Sequence, residues 1–433
     1  MTRASLVAGA LAALALQPAA AQGRKLTLEQ AYAQAARSSP TIQVLRERVR
    51  QAEAARYKTW AALKPTASFS ASFTHSDQED IVFAVPGRDP MTFQKQDQFA
   101  WNAVASLPLF RGPAYPRLKM ARQGVELARL REVRTQQDFL LRVAQAYYMV
   151  VTRADTLSAL EHKLEIGRKH LAAARAQLEV GQAPRATVLR ADLVVTQDEQ
   201  SVRVARIALG AARRQLGILV GEPGSVDVER PAEPPRPGGS ERGMTETALA
   251  GRADVRAADL SVQLARKGKE ATWWGFLPSL DLSWLYRWTE AAGFSGERGS
   301  WNLVFTLNVP IYDGGARYAD LRDGHSKITE AVEQRRALGL EIEGEIVRLR
   351  AEVESASAGV VSAHKAVALA RTTEEDMNAS YSVGAATQLD VLDASQRLLD
   401  AQLQLSGQLF QRDLARLALA HAQGLFDPLR RNK

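Results

Sequence analysis

The stretches LDLSWLYRW (residues 280–288) and WNLVFTLNV (residues 301–309) alternate in polarity with a period of two. In the first, Leu280, Leu282, Trp284, Tyr286 and Trp288 fall on one side, against Asp281, Ser283 and Arg287. In the second, Trp301, Leu303, Phe305, Leu307 and Val309 oppose Asn302, Thr306 and Asn308. Successive side chains of a strand point to opposite faces, so this pattern predicts strands with one apolar face. Two earlier stretches read the same way. TASFSASFTH (66–75) sets Ala67, Phe69, Ala71 and Phe73 on one side, and FAWNAVASL (99–107) does so with Phe99, Trp101, Ala103, Ala105 and Leu107.

Soluble hairpins, each resting one face on a core, would give such patterns. Three features favour membrane strands. The segments have the ~9–10 residues that a tilted transmembrane strand needs. One face is apolar and the other polar, as expected between lipid and a water-filled lumen. All seven tryptophans (60, 101, 273, 274, 284, 288, 301) lie in or beside these segments, like an interfacial aromatic girdle. Phe69, Phe73, Trp101, Trp284, Trp288, Trp301 and Phe305 are the expected lipid-facing and girdle residues. Four strands cannot close a barrel, and an open edge in lipid leaves backbone amides unpaired. The chain is therefore expected to oligomerise, each copy supplying a few staves.

Working outward, each pair of strands belongs to one copy of a duplicated plan. SSPTIQVL from Ser38 matches GRADVRAA from Gly251, and Pro65 matches Pro278, both displaced by 213. LPLFRG (107–112) matches VPIYDG (309–314), displaced by 202, and the turn glycines Gly181 and Gly384 are displaced by 203. The displacement falls by 11 between the strands of each copy, where a loop tolerates an insertion. Gly112 and Gly314 mark the strand-to-helix turns.

After each hairpin the pattern becomes helical. Ile342, Ile346, Leu349, Val353, Ala356, Val360, Ala363, Val367 and Ala370 step by alternating 4 and 3, a sustained heptad seam. That helix runs from near Ala316 to Tyr381, roughly 100 Å at ~1.5 Å per residue, and returns from about Thr387 to Gln423. The fold class expected is mostly helical with a membrane β-barrel. The first repeat covers 22–220: a helix opened by Thr27 and Gln30 at capping-box spacing and interrupted at Pro40, strands at about 66–75 and 98–107, and a helical hairpin at about 114–220. The second covers 243–425, with strands at about 279–288 and 300–309 and a hairpin at about 316–424. Residues 221–242 hold five of the 17 prolines and read as an extended equatorial linker, and 426–433 as a tail.

Composition narrows the function. There is no cysteine, and the six histidines are scattered without metal-ligand spacing, which reads them as helix and loop surface. No phosphate loop or nucleophile elbow is present, so neither an enzyme nor a bound cofactor or metal is expected. The net charge of +8 is spread along helices, unlike the clustered footprint of a nucleic-acid binder. Arg3, the apolar run Leu6–Leu16 and Ala19 to Ala21 form a secretory signal peptide over 1–21, with the mature chain beginning near Gln22 and no cysteine there for lipidation.

The helix reversals differ between copies. VGQAPRATVLRAD from Val180 and VGAATQLDVLDAS from Val383 share the turn, but only the second carries Asp390 and Asp393, one helical turn apart on one face. First-turn acids favour the helix dipole and Thr387 stands at capping distance from Asp390, so a helix cap explains one acid and a charged site explains both.

The duplicated order of proline, strand, loop, strand, PLFRG or PIYDGG and long helix, with YSVGAATQLDVLDASQRLLDAQ from Tyr381, resembles the TolC-like outer membrane efflux proteins over essentially the whole mature chain. The resemblance implies a homotrimer whose four strands per chain form a 12-stranded barrel in the outer membrane, above a helical tunnel across the periplasm. It implies a passive exit duct for solutes or proteins handed over by an inner-membrane pump and a periplasmic adaptor. Gly181 and Gly384 would be the periplasmic tips, and Asp390 and Asp393 rings of carboxylates that raise each other's pKa and attract cations. Family members latch the closed tip with a tyrosine and an arginine bonded to an aspartate. Tyr381 holds the tyrosine position, whereas Ala386 replaces the arginine and Thr187 the aspartate, so a salt-bridged lock is not available and Tyr381 with Thr187 is the candidate latch. An adaptor with one long hairpin and a structural coiled-coil envelope protein are the alternatives; neither explains two hairpins in tandem with four membrane-type strands.

Overall fold

The structure is a computed structural model and describes residues 25–429 apart from 85, 88, 89, 223 and 293–296. The expected signal peptide over 1–21, Pro223 of the linker and residues 430–433 of the tail lie outside the described residues. Strands β1 (Thr66–His75), β4 (Asp97–Phe110), β5 (Ser279–Thr289) and β6 (Gly299–Asn308) form one antiparallel sheet in the order β1-β4-β5-β6. The two repeats therefore join through β4 and β5, leaving β1 and β6 as edges. Strand β4 extends to Phe110, beyond the alternating stretch, and its register slips between Pro108 and Phe110, as a residue without an amide donor requires.

Register turns four separate alternations into one surface. Phe69 pairs with Ala103, Trp101 with Ala71 and Trp288, Trp284 with Ala105 and Leu303, and Leu282 with Phe305. All of the apolar positions thus share a single face. The opposite face is less uniformly polar than the alternation implied: Val104 stands beside Leu285, and Val304 beside Ser283. The extra length of the first copy is not plain loop either. It forms a two-stranded hairpin, β2 (Ile81–Phe83) with β3 (Met91–Gln94), whose residues show too short a run for periodicity to reveal.

Among the described residues eight α-helices build the rest: α1 (Leu28–Ser38), α2 (Pro40–Ala61), α3 (Ala114–Glu179), α4 (Arg185–Val220), α5 (Glu241–Gly251), α6 (Ala253–Trp273), α7 (Ala316–Ser382) and α8 (Gln388–Ala422). Thr27 and Gln30 close a capping box on α1, and Pro40 sits at the first position of α2 behind the Ser39 cap, where its missing N–H costs nothing. Helices α3 and α7 run the whole length. Near the sheet the neighbours are α2, α3, α6 and α7 in sequence; towards the far end they are α4, α3, α8 and α7. The result is a four-helix palisade with α2 and α4 on one flank and α7 on the other.

The heptad seam holds this palisade together. Ile342, Ile346, Leu349, Val353, Ala356, Val360 and Ala363 are all buried. The linker is extended but anchored, since Leu26 N donates to Asp227 O and Glu229 N to Leu26 O, and the Tyr147 hydroxyl lies 2.8 Å from both Leu26 O and Glu229 O. Its acid Glu233 takes Arg412 and Arg416 of α8. At the break between α5 and α6, the buried Arg252 binds Asp254, Glu345 and the Ala422 carbonyl.

Candidate functional site at the helix reversals

Both reversals use the same backbone device. Gly181 and Gly384 adopt φ of +73° and +78°, which non-glycine residues reach only with strain. Gln182 N donates to Gln177 O and Ala385 N to Ser380 O, both at 2.8 Å, closing the last turns of α3 and α7 in Schellman fashion.

The starts of the returning helices differ. Helix α4 begins after Pro184, with no side-chain cap. Helix α8 begins at a complete capping box: the Asp390 carboxylate accepts from Thr387 N at 2.8 Å and from its hydroxyl at 2.6 Å, while Asp390 N donates to Thr387 Oγ1. These bonds hold the Asp390 carboxyl below the usual carboxylate range. Within one protomer this direction is opposite to that expected of crowded carboxylates. Asp393 instead reaches Arg397, one turn on, at 2.9 Å. The displacement of 203 between turn glycines also relates Thr187 to Asp390 and Arg190 to Asp393. Both acids are therefore exposed substitutions on a shared scaffold.

Among the described residues no hydrogen bond joins Tyr381 to Thr187. Thr187 N donates to Pro184 O in the first turn of α4. The Tyr381 ring packs edge-on against His170 of α3, centroids 5.7 Å apart. His170 and Glu374 are buried, at 8% and 7% exposure, and Asn378 Nδ2 donates to Glu374 Oε1 at 2.8 Å. Burial pushes the His170 imidazole below its ordinary pKa, partly offset by Glu374 and Asn378. A second tie lies further from the tip: Lys163 of α3 bridges the buried Asp198 of α4 at 2.9 Å and Gln396 of α8 at 2.7 Å.

Two histidines read as surface are thus buried. His170 lies under Tyr381, and His421, also buried, bonds Asp138 at 2.8 Å. A sequence signal for the first existed. Continuing the 4–3 steps beyond Ala370 lands on Glu374 and Tyr381, and a polar residue on a buried seam needs a partner.

On the sheet, Phe69, Phe73, Trp284, Trp301 and Phe305 are exposed, while Trp101 stacks on Tyr286 at 5.1 Å and Trp288 packs near Phe99. At the strand-to-helix turns, Gly112 lies against the Trp274 backbone and Gly314 takes φ of +70°. Among the described residues no cluster of metal-ligating side chains occurs, and no helix is long and apolar enough to cross a membrane.

A sequence model of the family described as outer membrane efflux protein matches residues 31–222 and 244–425. The chain is similar to outer membrane protein TolC of Vibrio cholerae, 26% identical over 337 residues and covering 74% of this chain and 75% of that one. It is also similar to the alkaline protease secretion protein AprF of Pseudomonas aeruginosa, at 25% identity over 80% of this chain and 73% of that one. In structure it resembles the Campylobacter jejuni CmeC outer membrane channel, with a TM-score of 0.76 at 17% identity, covering 93% and 86% of the two chains.

Proposed function

We propose, from the premise that this chain belongs to the outer membrane efflux protein family and is a TolC-type channel of the bacterial outer membrane, that three copies close it into a passive exit duct. The carrying observation is that each layer is open on both sides. Among the described residues strands β1 and β6 have no partner beyond them, and unpaired amides in lipid cost several kcal/mol each. Three four-stranded sheets joined β6 to β1 make a closed barrel of about twelve strands, within the known range.

The helical layer supports the same closure. Buried residues of α4 such as Ala191, Val195, Val202, Ala205 and Leu209 face α3, whereas Leu189, Leu193, Val204, Ile207 and Ile218 are exposed. At about 100° per residue the second group lies opposite the first. Helix α7, on the other flank, exposes Leu340, Val347, Val361 and Leu369 away from its seam. These stripes suit a neighbour's α7 against α4, as the strands suit a neighbour's β6 against β1.

In the trimer the reversals converge on one axis, and Asp390 and Asp393 become two rings of carboxylates that concentrate cations. The closed tip is held by packing around Tyr381 in place of a salt bridge, since Ala386 and Thr187 supply none. The duct receives cargo from an inner-membrane pump through a periplasmic adaptor. One relative named for fusaric acid resistance and another named for alkaline protease secretion leave room for either solute or protein cargo. The test is extraction of the membrane fraction: a trimer that requires detergent is expected, and a water-soluble monomer would sink the proposal.

A further inference from the structure

The polar face of the sheet carries an uneven charge. Following register across the strands gives rows of side chains on that face. The row at its helical end contains Pro108, Asp281 and Thr306, and Asp281 is neutralised by Arg111 at 2.8 Å. Towards the loops comes Thr66, Ser106, Ser283 and Val304, then Ser68, Val104, Leu285 and Asn302. The next row is Ser70, Asn102, Arg287 and Ser300. Beyond it Thr289 N donates to Arg298 O, which places exposed Arg298 on the same parity, opposite Thr289.

Arg287 is exposed, and among the described residues no side chain bonds it. Three of the nearby acids are engaged elsewhere. Glu290, of the opposite parity, accepts from Phe99 N, and Asp80 from Gln96 N; Asp97 pairs with His75. With the Arg111–Asp281 pair cancelling, Arg287 and Arg298 set the net charge of this face. One row inward, about 7 Å at the ordinary rise of a strand, Val104 and Leu285 form an apolar pair across β4 and β5, with Val304 in the row beyond.

We propose that this juxtaposition is a subsite for amphiphilic anions, small solutes that join a carboxylate, sulfonate or phosphate to an apolar body. It rests on the trimeric reading, which turns Arg287 into a ring of guanidiniums facing the lumen above an apolar belt. The guanidinium fork grips the anionic group, and Val104 and Leu285 cover the apolar body. The neutral Ser, Thr and Asn side chains around them offer hydrogen bonds without a competing charge. The barrel end thereby prefers the sign opposite to the carboxylate rings at the tip.

The test uses the full channel in planar bilayers, with naphthalenesulfonate, methanesulfonate and a naphthyl-trimethylammonium cation added from the loop side. Naphthalenesulfonate should block the wild type most strongly. Arg287→Gln combined with Arg298→Gln should raise its half-blocking concentration by about ten-fold or more, while Arg287→Lys should retain most of the block. Leu285→Ser should weaken naphthalenesulfonate and leave methanesulfonate unchanged. Equal block of wild type and the double glutamine variant, or equal block by the cation, would overturn the subsite. A wild type that never conducts would overturn the duct reading itself, and that is read before any probe is added.

Discussion

Tyr381 on α7 and His170 on α3 meet edge to face, their ring planes at 76°. This contact joins the hairpin that bears the acids to the hairpin that does not, within one chain. It stands where a salt-bridged lock is unavailable, and its polar floor is Glu374 with Asn378.

The contact should therefore depend on pH. Burial favours neutral His170 and lowers its pKa, so the contact is fully present above the ordinary histidine value of about 6.5 and is lost as pH falls through the lowered one. On α7 the ionisable groups facing it are Glu374 and Tyr381; on α3 and α4 the Lys163–Asp198 pair is already matched. Wild-type conductance is expected to rise on acidification below about pH 6.5, and His170→Phe, which keeps an aromatic ring, should flatten that rise. His170→Ala should open the tip at every pH, the lost ring pair being worth about 0.5–1.5 kcal/mol. A rise of the same size in His170→Phe would assign it to the carboxylates instead.

Much of this architecture was legible in the sequence because the two periods involved are local. Alternation of Leu280 to Trp288 marks a strand, and the steps from Ile342 to Ala363 mark a buried seam, whatever else surrounds them. What escaped reading depends on partners far along the chain. His170 is more than 200 residues from Tyr381, and the signal for it lay on the seam of α7 and not on its own helix. Arg252 is likewise held by Glu345 and the Ala422 carbonyl, 93 and 170 residues further along the chain. The tip acids were visible, yet a single chain shows only the cap of Asp390; the second role we propose for them needs three copies around an axis.

Those two roles of Asp390 separate by substitution. Asp390→Asn keeps an acceptor for Thr387 but removes the charge, so stability should hold while block by divalent or trivalent cations weakens. Asp390→Ala removes both and should also destabilise the start of α8. Unchanged conductance and cation block in Asp390→Ala with Asp393→Ala would reduce both acids to helix-end chemistry.

The flanking stripes predict where assembly fails. Ile207, 71% exposed on α4, and Leu369, 71% exposed on α7, should each be covered in the trimer. Burying a charge there without a partner costs several kcal/mol, so Ile207→Asp should shift the detergent-solubilised protein from trimer towards monomer on size exclusion. Ser201→Asp, at an exposed position about 120° around α4 from Ile207 and with the same one-unit change of charge, serves as the control and should leave the trimer intact. Equal loss in both would remove the stripe argument.

Gly112 and Gly314 occupy the same place in the two repeats for different reasons. At Gly112 an added Cβ would lie 2.7 Å from the Trp274 carbonyl oxygen, a backbone atom that cannot swing aside. At Gly314 the surrounding space is open, but φ is +70° and Gly315 follows at +91°. Alanine should therefore harm both, at Gly314 by about 1–2 kcal/mol of left-handed strain. Asparagine tolerates that conformation better than other side chains do, so Gly314→Asn should recover much of the trimer's thermal stability. Gly112→Asn should recover none, because its difficulty is room and not backbone conformation. Equal rescue at both turns would show that a single conformational demand governs them and that the Trp274 approach is incidental.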